Sequence, residues 1–192
     1  MLKTSILSTL FIVALLTQGC GNDAKTESTT EKVKEANSMI SSNEYILSDL
    51  NSSQHIVIKE ANGFSLEGAE GKVVIFDIFA TWCPPCQAAA SHLSSLQAKY
   101  KDDLVIVGLT IEDDISNAKL QEFLDEKSAD YMLVNSSVNR RLVDDIATHL
   151  KVGERFPIPL MALYKDGVLI NHYVGAIQEE FIESDIKRAL KK

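Results

Sequence analysis

The chain has 192 residues, 45% of them hydrophobic and 24% charged, the composition of an ordinary globular domain with length left over for extensions. Its formal net charge is −8, so no basic stripe is available to neutralise phosphates, and nucleic acid is excluded as the expected partner. Four histidines stand singly, without the spacing of a ligand set, and no metal or cofactor is expected.

Lys3 gives the chain a positive start, and residues 6–16 form an apolar core too short to span a bilayer permanently. Gly19-Cys20 follows at once. A small residue before a cysteine, directly after such a core, resembles the lipobox of bacterial lipoproteins. That resemblance implies cleavage before Cys20 and lipidation of its sulfur, although Thr17 stands where Leu is usual. The expected organisation is a signal peptide over 1–19, the lipidated Cys20 with a flexible tether over 20–53, and a folded domain over 54–192. Residues 22–31 are too polar to bury surface, and 32–50 hold at most a weak helical pattern. Export would place the chain in a compartment that permits disulfides, and a lipidated Cys20 leaves Cys83 and Cys86 as a self-contained pair.

The folded part opens with a strand over 55–59, a turn at Asn62-Gly63 and a short strand over 64–66. The nearly continuous apolar run over 72–79 fits a central strand covered on both faces. A helix over 87–100 and a strand over 104–110 follow. Leu120, Phe123 and Leu124 mark a helix over 117–127. A strand over 131–134 and a helix over 138–150 come next. Strands over 160–164 and 168–174 are joined by Lys165-Asp166-Gly167, and a helix over 179–190 ends the chain. Strands alternating with helices, ending in a hairpin and a helix, predict an α/β three-layer sandwich.

Trp82-Cys83-Pro84-Pro85-Cys86 sits where the central strand hands over to a helix. Two cysteines two residues apart at such a junction read as a dithiol that opens and closes. The helix presents its positive N-terminal end to Cys83, which favours the attacking thiolate. A structural zinc site would need four ligands, and no second cysteine pair or spaced histidine pair exists. Pro84 and Pro85 suit the first helical turn but remove two backbone donors, which points to a reducing or intermediate couple rather than a strong oxidant. Asp77 interrupts the apolar strand, where burial would raise its pKa toward the range useful for proton transfer. The acidic run Glu112-Asp113-Asp114 reads as a solvated loop.

The blocks Ala80-Thr81-Trp82-Cys83-Pro84-Pro85-Cys86 and Ile158-Pro159-Leu160-Met161-Ala162-Leu163-Tyr164-Lys165-Asp166-Gly167 resemble the TlpA/ResA-like, membrane-tethered thiol-disulfide oxidoreductases of the thioredoxin superfamily. The resemblance covers about residues 54–190. It implies a thioredoxin-like sandwich, with a central mixed sheet flanked by helices and an N-terminal β-hairpin extension. It also implies Cys83 as an exposed nucleophile, Cys86 as the resolving cysteine and Asp77 as proton acceptor for Cys86 through water. Pro159 would be cis, Ile158 would pair its backbone with the substrate chain, and Trp82, Pro84 and Pro85 would complete the substrate-binding rim. Ala89 and Ser91 stand where that branch commonly carries Glu and Pro. The implied activity is reduction of disulfides in exported clients, such as apocytochromes c or metal-site assembly factors. A membrane thiol-electron carrier would re-reduce a monomeric, lipid-anchored, periplasm-facing protein. A disulfide-introducing oxidase or isomerase, and a binding protein with an incidental dithiol, are the alternatives.

Overall fold

The computed structural model describes residues 43–191. The expectations for residues 1–42, namely the signal peptide, Cys20 and most of the tether, lie outside the described residues. Strand β1 spans Glu44–Ser48, β2 Gln54–Glu60 and β3 Gly63–Leu66. The central strand β4 is Val73–Phe79, and helix α1 is Pro84–Lys99. Then come β5 Leu104–Thr110, α2 Asn117–Glu126, β6 Met132–Val134 and α3 Asn139–Leu150. Strands β7 Leu160–Lys165 and β8 Val168–Val174 and helix α4 Glu179–Leu190 complete the chain.

The main sheet has five strands in the order β6-β5-β4-β7-β8, and a separate antiparallel sheet holds β1-β2-β3. Strand β4 runs parallel to β5 and antiparallel to β7, so the central sheet is mixed. All seven residues of β4 are buried, as its unbroken apolar run requires of a strand covered on both faces.

Alternation along β4 sorts the core into two halves. Val74, Phe76 and Ile78 pack with Leu142, Val143 and Ile146 of α3 and with Tyr45, Leu47, Val57 and Phe64 of the small sheet. Val73, Ile75 and Phe79 pack with Cys86, Ala90, Leu93 and Leu96 of α1, Leu120 and Phe123 of α2, and Ile182 and Ile186 of α4. Three layers result, and Asp77 falls in register with the second set.

The expected tether over 20–53 is too long at its C-terminal end. Glu44 to Ser48 pair with Ile58 to Gln54 as an antiparallel strand, where the sequence suggested only weak helix. The pattern there is strand-like, with Tyr45 and Leu47 fully buried between half-buried neighbours. The Tyr45 hydroxyl donates to Asp145 Oδ2 at 2.5 Å, and the Arg141 guanidinium lies 4.2 Å over its ring. The expected N-terminal β-hairpin is present as β2 and β3, and β1 extends it to a three-stranded sheet.

Candidate active site

The turn that delivers the cysteines is held from both sides. Phe79 and Thr110 are register partners at the ends of β4 and β5, so the segments leaving both strands run side by side. The Thr81 amide donates to Glu112 Oε2 at 2.6 Å, and its hydroxyl donates to Glu112 Oε1 at 3.0 Å. Gln87, from the first turn of α1, donates from Nε2 to the Thr81 carbonyl at 2.7 Å. The Cys83 amide closes the turn onto the Ala80 carbonyl at 3.2 Å. Glu112, expected in a solvated loop, is thus a brace for the residue two places before Cys83.

Cys83 is the N-cap of α1, with prolines at the first two helical positions. Pro84 and Pro85 have no N–H to offer, so Cys86 carries the first amide of the helix able to reach the cap sulfur. It does so, donating to Cys83 Sγ at 3.3 Å. Cys83 and Cys86 are joined as a disulfide.

Ile158-Pro159 is a cis peptide bond. It seats the Ile158 carbonyl oxygen 3.8 Å from Cys83 Sγ. Pro159 is buried, Ile158 is half-buried and Pro157 is exposed. The structure therefore brings the two sequence blocks together, Cys83 against the loop that precedes β7.

One expectation is corrected. Cys83 is only 3% exposed in the disulfide form, because Cys86 and the Ile158 carbonyl crowd its sulfur. Trp82 is 65% exposed, a large apolar surface beside a buried disulfide. Pro84 is exposed and Pro85 half-buried on the same rim. Ala89 packs partly buried against the α1 side of the core, at the position where the resembling branch carries an acid.

Asp77 is buried at 2% exposure on the sheet face that also packs Cys83 and Cys86. Burial pushes its carboxyl up from 3.8 to about 7, opposed by a hydrogen bond from the Tyr131 hydroxyl to Oδ2 at 3.4 Å. Oδ1 has no hydrogen-bond partner among the described residues. The same environment, with Asp77 beside it, raises the Tyr131 hydroxyl well above its ordinary value. Sequence reasoning missed both Tyr131 and Glu112.

Three of the four histidines make contacts that need no ligand. His92 lies half-exposed on α1, 3.4 Å from Glu179, and His55 pairs with Asp49 at 3.1 Å. His149 packs edge-on to Phe64. Among the described residues, no group of three or more His, Cys, Asp or Glu side chains is placed to hold a metal ion.

Comparison with known proteins agrees with this arrangement. The Redoxin family model matches residues 48–190. A thioredoxin of Echinococcus granulosus is 26% identical over 122 residues, covering 62% of this chain and 83% of that protein. The thiol-disulfide oxidoreductase ResA of Halalkalibacterium halodurans is 24% identical over 133 residues, 67% of this chain and 70% of its own. The crystal structure of a thiol:disulfide interchange protein from Chlorobium tepidum superposes with a TM-score of 0.61 at 16% identity, covering 77% of this chain and 94% of that one, a likeness of fold. With its strand, CxxC pair, helix and cis-proline loop assembled in that fold, the chain belongs to the Redoxin family, in the ResA/TlpA-like part of the thioredoxin superfamily.

Proposed function

We propose that this protein is a thiol-disulfide oxidoreductase that works outside the cytoplasm as a reductant of disulfides in client proteins. The observation that carries the reading is the Cys83–Cys86 disulfide at the N-terminus of α1, seated against the cis Ile158-Pro159 loop. In the reduced form, the Cys83 thiolate is favoured by the helix end and by the Cys86 amide. It attacks one sulfur of a client disulfide, forming a mixed disulfide and releasing the other client sulfur as thiolate. Cys86 gives its proton to Asp77 and attacks Cys83 Sγ, which breaks the bond to the client and leaves the Cys83–Cys86 disulfide. Two electrons have then passed to the client, and a membrane thiol-electron carrier restores the dithiol.

The exposed Trp82 and Pro84, the half-buried Pro85 and the Ile158 backbone form the rim a client chain would meet. Apocytochromes c and metal-site assembly factors are client classes that suit such a reductant. Export rests on the sequence of residues 1–20, with Cys20 as the lipid anchor of a monomeric, periplasm-facing domain. Among the described residues no helix is long and apolar enough to cross a membrane.

The test is mechanism-based trapping. A Cys86→Ser chain should accumulate mixed disulfides with extracytoplasmic proteins through Cys83, and these should vanish in a Cys83→Ser, Cys86→Ser chain. No accumulation would leave a binding protein with an incidental dithiol as the better reading.

A further inference from the structure

Directly beside Asp77 in the parallel register of β4 and β5 lies Gly108, a glycine inside an otherwise apolar strand. Glycine in a strand interior costs stability and marks a close approach. A Cβ added at Gly108 would collide with Leu133 Cδ2 and stand 3.2 Å from Tyr131 Cε2 and from Phe79 Cε1. The space left by the missing side chain is filled by Leu133, with the Tyr131 and Phe79 rings closing on its border. From this position the Tyr131 hydroxyl reaches Asp77 Oδ2, while Oδ1 has no partner among the described residues.

We propose that Tyr131 is a positioning residue for Asp77: seated in the space beside Gly108, it holds one carboxylate oxygen, leaves the other for proton exchange, and sets the pH at which that exchange works. The kinetic part of this inference rests on the reading of Asp77 as base for Cys86.

The surroundings contain little else that could do this. At the start of α1, Cys83 and Cys86 are joined as a disulfide and carry no titrating proton on this face. Strand β7 places Met161 opposite Asp77. From α4, Asp185 is tied to Asn171, Tyr173 and Arg188, and Glu183 to Tyr100, Lys99 and Lys187. Helix α2 contributes Leu120 and Phe123, its charged residues facing outward. Burial and Tyr131 account for the state of the carboxyl. A hydroxyl is a neutral donor. It steadies the carboxylate less than a cation would, so Asp77 can still take a proton near neutral pH.

The experiment titrates the Asp77 carboxyl in the full oxidised chain, by its protonated C=O infrared band, assigned through its loss in Asp77→Asn. Tyr131→Phe removes the donor and keeps the ring. The midpoint should rise by roughly half a unit to one unit. The pH profile of the resolving step, followed in single turnover with a peptide disulfide, should move up with it. An unchanged or lowered midpoint in Tyr131→Phe overturns the proposal. A midpoint that rises while the kinetic profile stays in place supports the hold on the carboxyl and overturns Asp77 as base.

Discussion

Glu112 grips Thr81 through both of its carboxylate oxygens, one taking the backbone amide at 2.6 Å and the other the hydroxyl at 3.0 Å. Thr110 adds a third contact, its hydroxyl accepting from the Glu112 amide at 3.1 Å. The brace crosses from the end of β5 to the end of β4, so the parallel register of two central strands fixes the residue that leads into Trp82 and Cys83.

Removing that brace should loosen the turn without touching either sulfur. Hydrogen bonds to a charged group contribute about 1.5–3 kcal/mol each, and misplaced reacting groups lose rate steeply. Glu112→Ala should lower the rate of attack on a peptide disulfide by about tenfold, and Glu112→Gln, which keeps an acceptor for the Thr81 amide, by less. Stopped-flow measurement of the first mixed disulfide checks this. A Glu112→Ala rate within twofold of the parent would remove Glu112 from the site.

Asp77 links stability to pH with a definite sign. Its carboxyl titrates at about 7 in the folded protein against an ordinary value of 3.8. Between those values the unfolded chain has released a proton that the folded chain keeps, so stability falls as pH rises through the window and levels off above it. Asp77→Asn removes that loss. It should match the parent near about pH 4 and be more stable near about pH 8, by up to roughly 4 kcal/mol. Urea midpoints of the oxidised proteins at the two pH values test it, and a gap that does not widen with pH would contradict the burial argument. The same variant should turn over more slowly at neutral pH, since resolution would lose the base proposed for it.

Most of the fold was legible because its signals are local. The run over β4 is apolar at six of seven positions, and the boundaries of β5, β8 and α4 match the sequence reading residue for residue. The CxxC pair and the proline before β7 carry their chemistry in a few adjacent residues. What stayed hidden is long-range. Glu112 acts on Thr81 and Tyr131 acts on Asp77, contacts made only when strands and loops distant in sequence come side by side. Gly108 was the one local hint of the second, since an interior strand glycine implies that something approaches closely. Strand β1 was hidden for another reason: five residues with Ile46 between Tyr45 and Leu47 blur the alternation that marks a strand.

That strand should matter for stability. Tyr45 is fully buried, its hydroxyl bonds Asp145, and Lys59 from β2 meets the same carboxylate at 2.7 Å. Truncating a buried aromatic costs about 3–5 kcal/mol. A chain beginning at residue 54 should therefore unfold at clearly lower denaturant than one beginning at residue 43, and Tyr45→Ala should lose most of the same increment. Equal midpoints for the two truncations would return residues 44–53 to the tether.

Pro85 tests how the motif sets its own redox poise. An N-cap side chain draws on the amides of the second and third helical residues. Here the third, Cys86, donates to Cys83 Sγ, while the second is a proline with nothing to give. Pro85→Ala restores that N–H at the start of α1 while leaving Pro84 to begin the helix. An added donor stabilises the Cys83 thiolate, a species present only in the reduced protein. The Cys83 pKa should fall, and the reduction potential should rise, because the reduced state gains. At about 1.5–3 kcal/mol for a bond to a charged group, and about 30 mV per 1.4 kcal/mol for a two-electron couple, the rise is roughly 30–60 mV. Pro84→Ala should move the potential less, since the first helical amide lies farther from the cap sulfur's reach. Equilibration of each variant with glutathione buffers measures the shift. A Pro85→Ala potential at or below the parent's would mean that the absent donor does not govern the couple. A rise would make the second proline part of what suits this dithiol to the proposed reductant role: each step upward tightens its hold on the electrons it would pass to a client and moves it toward the oxidising end of its superfamily.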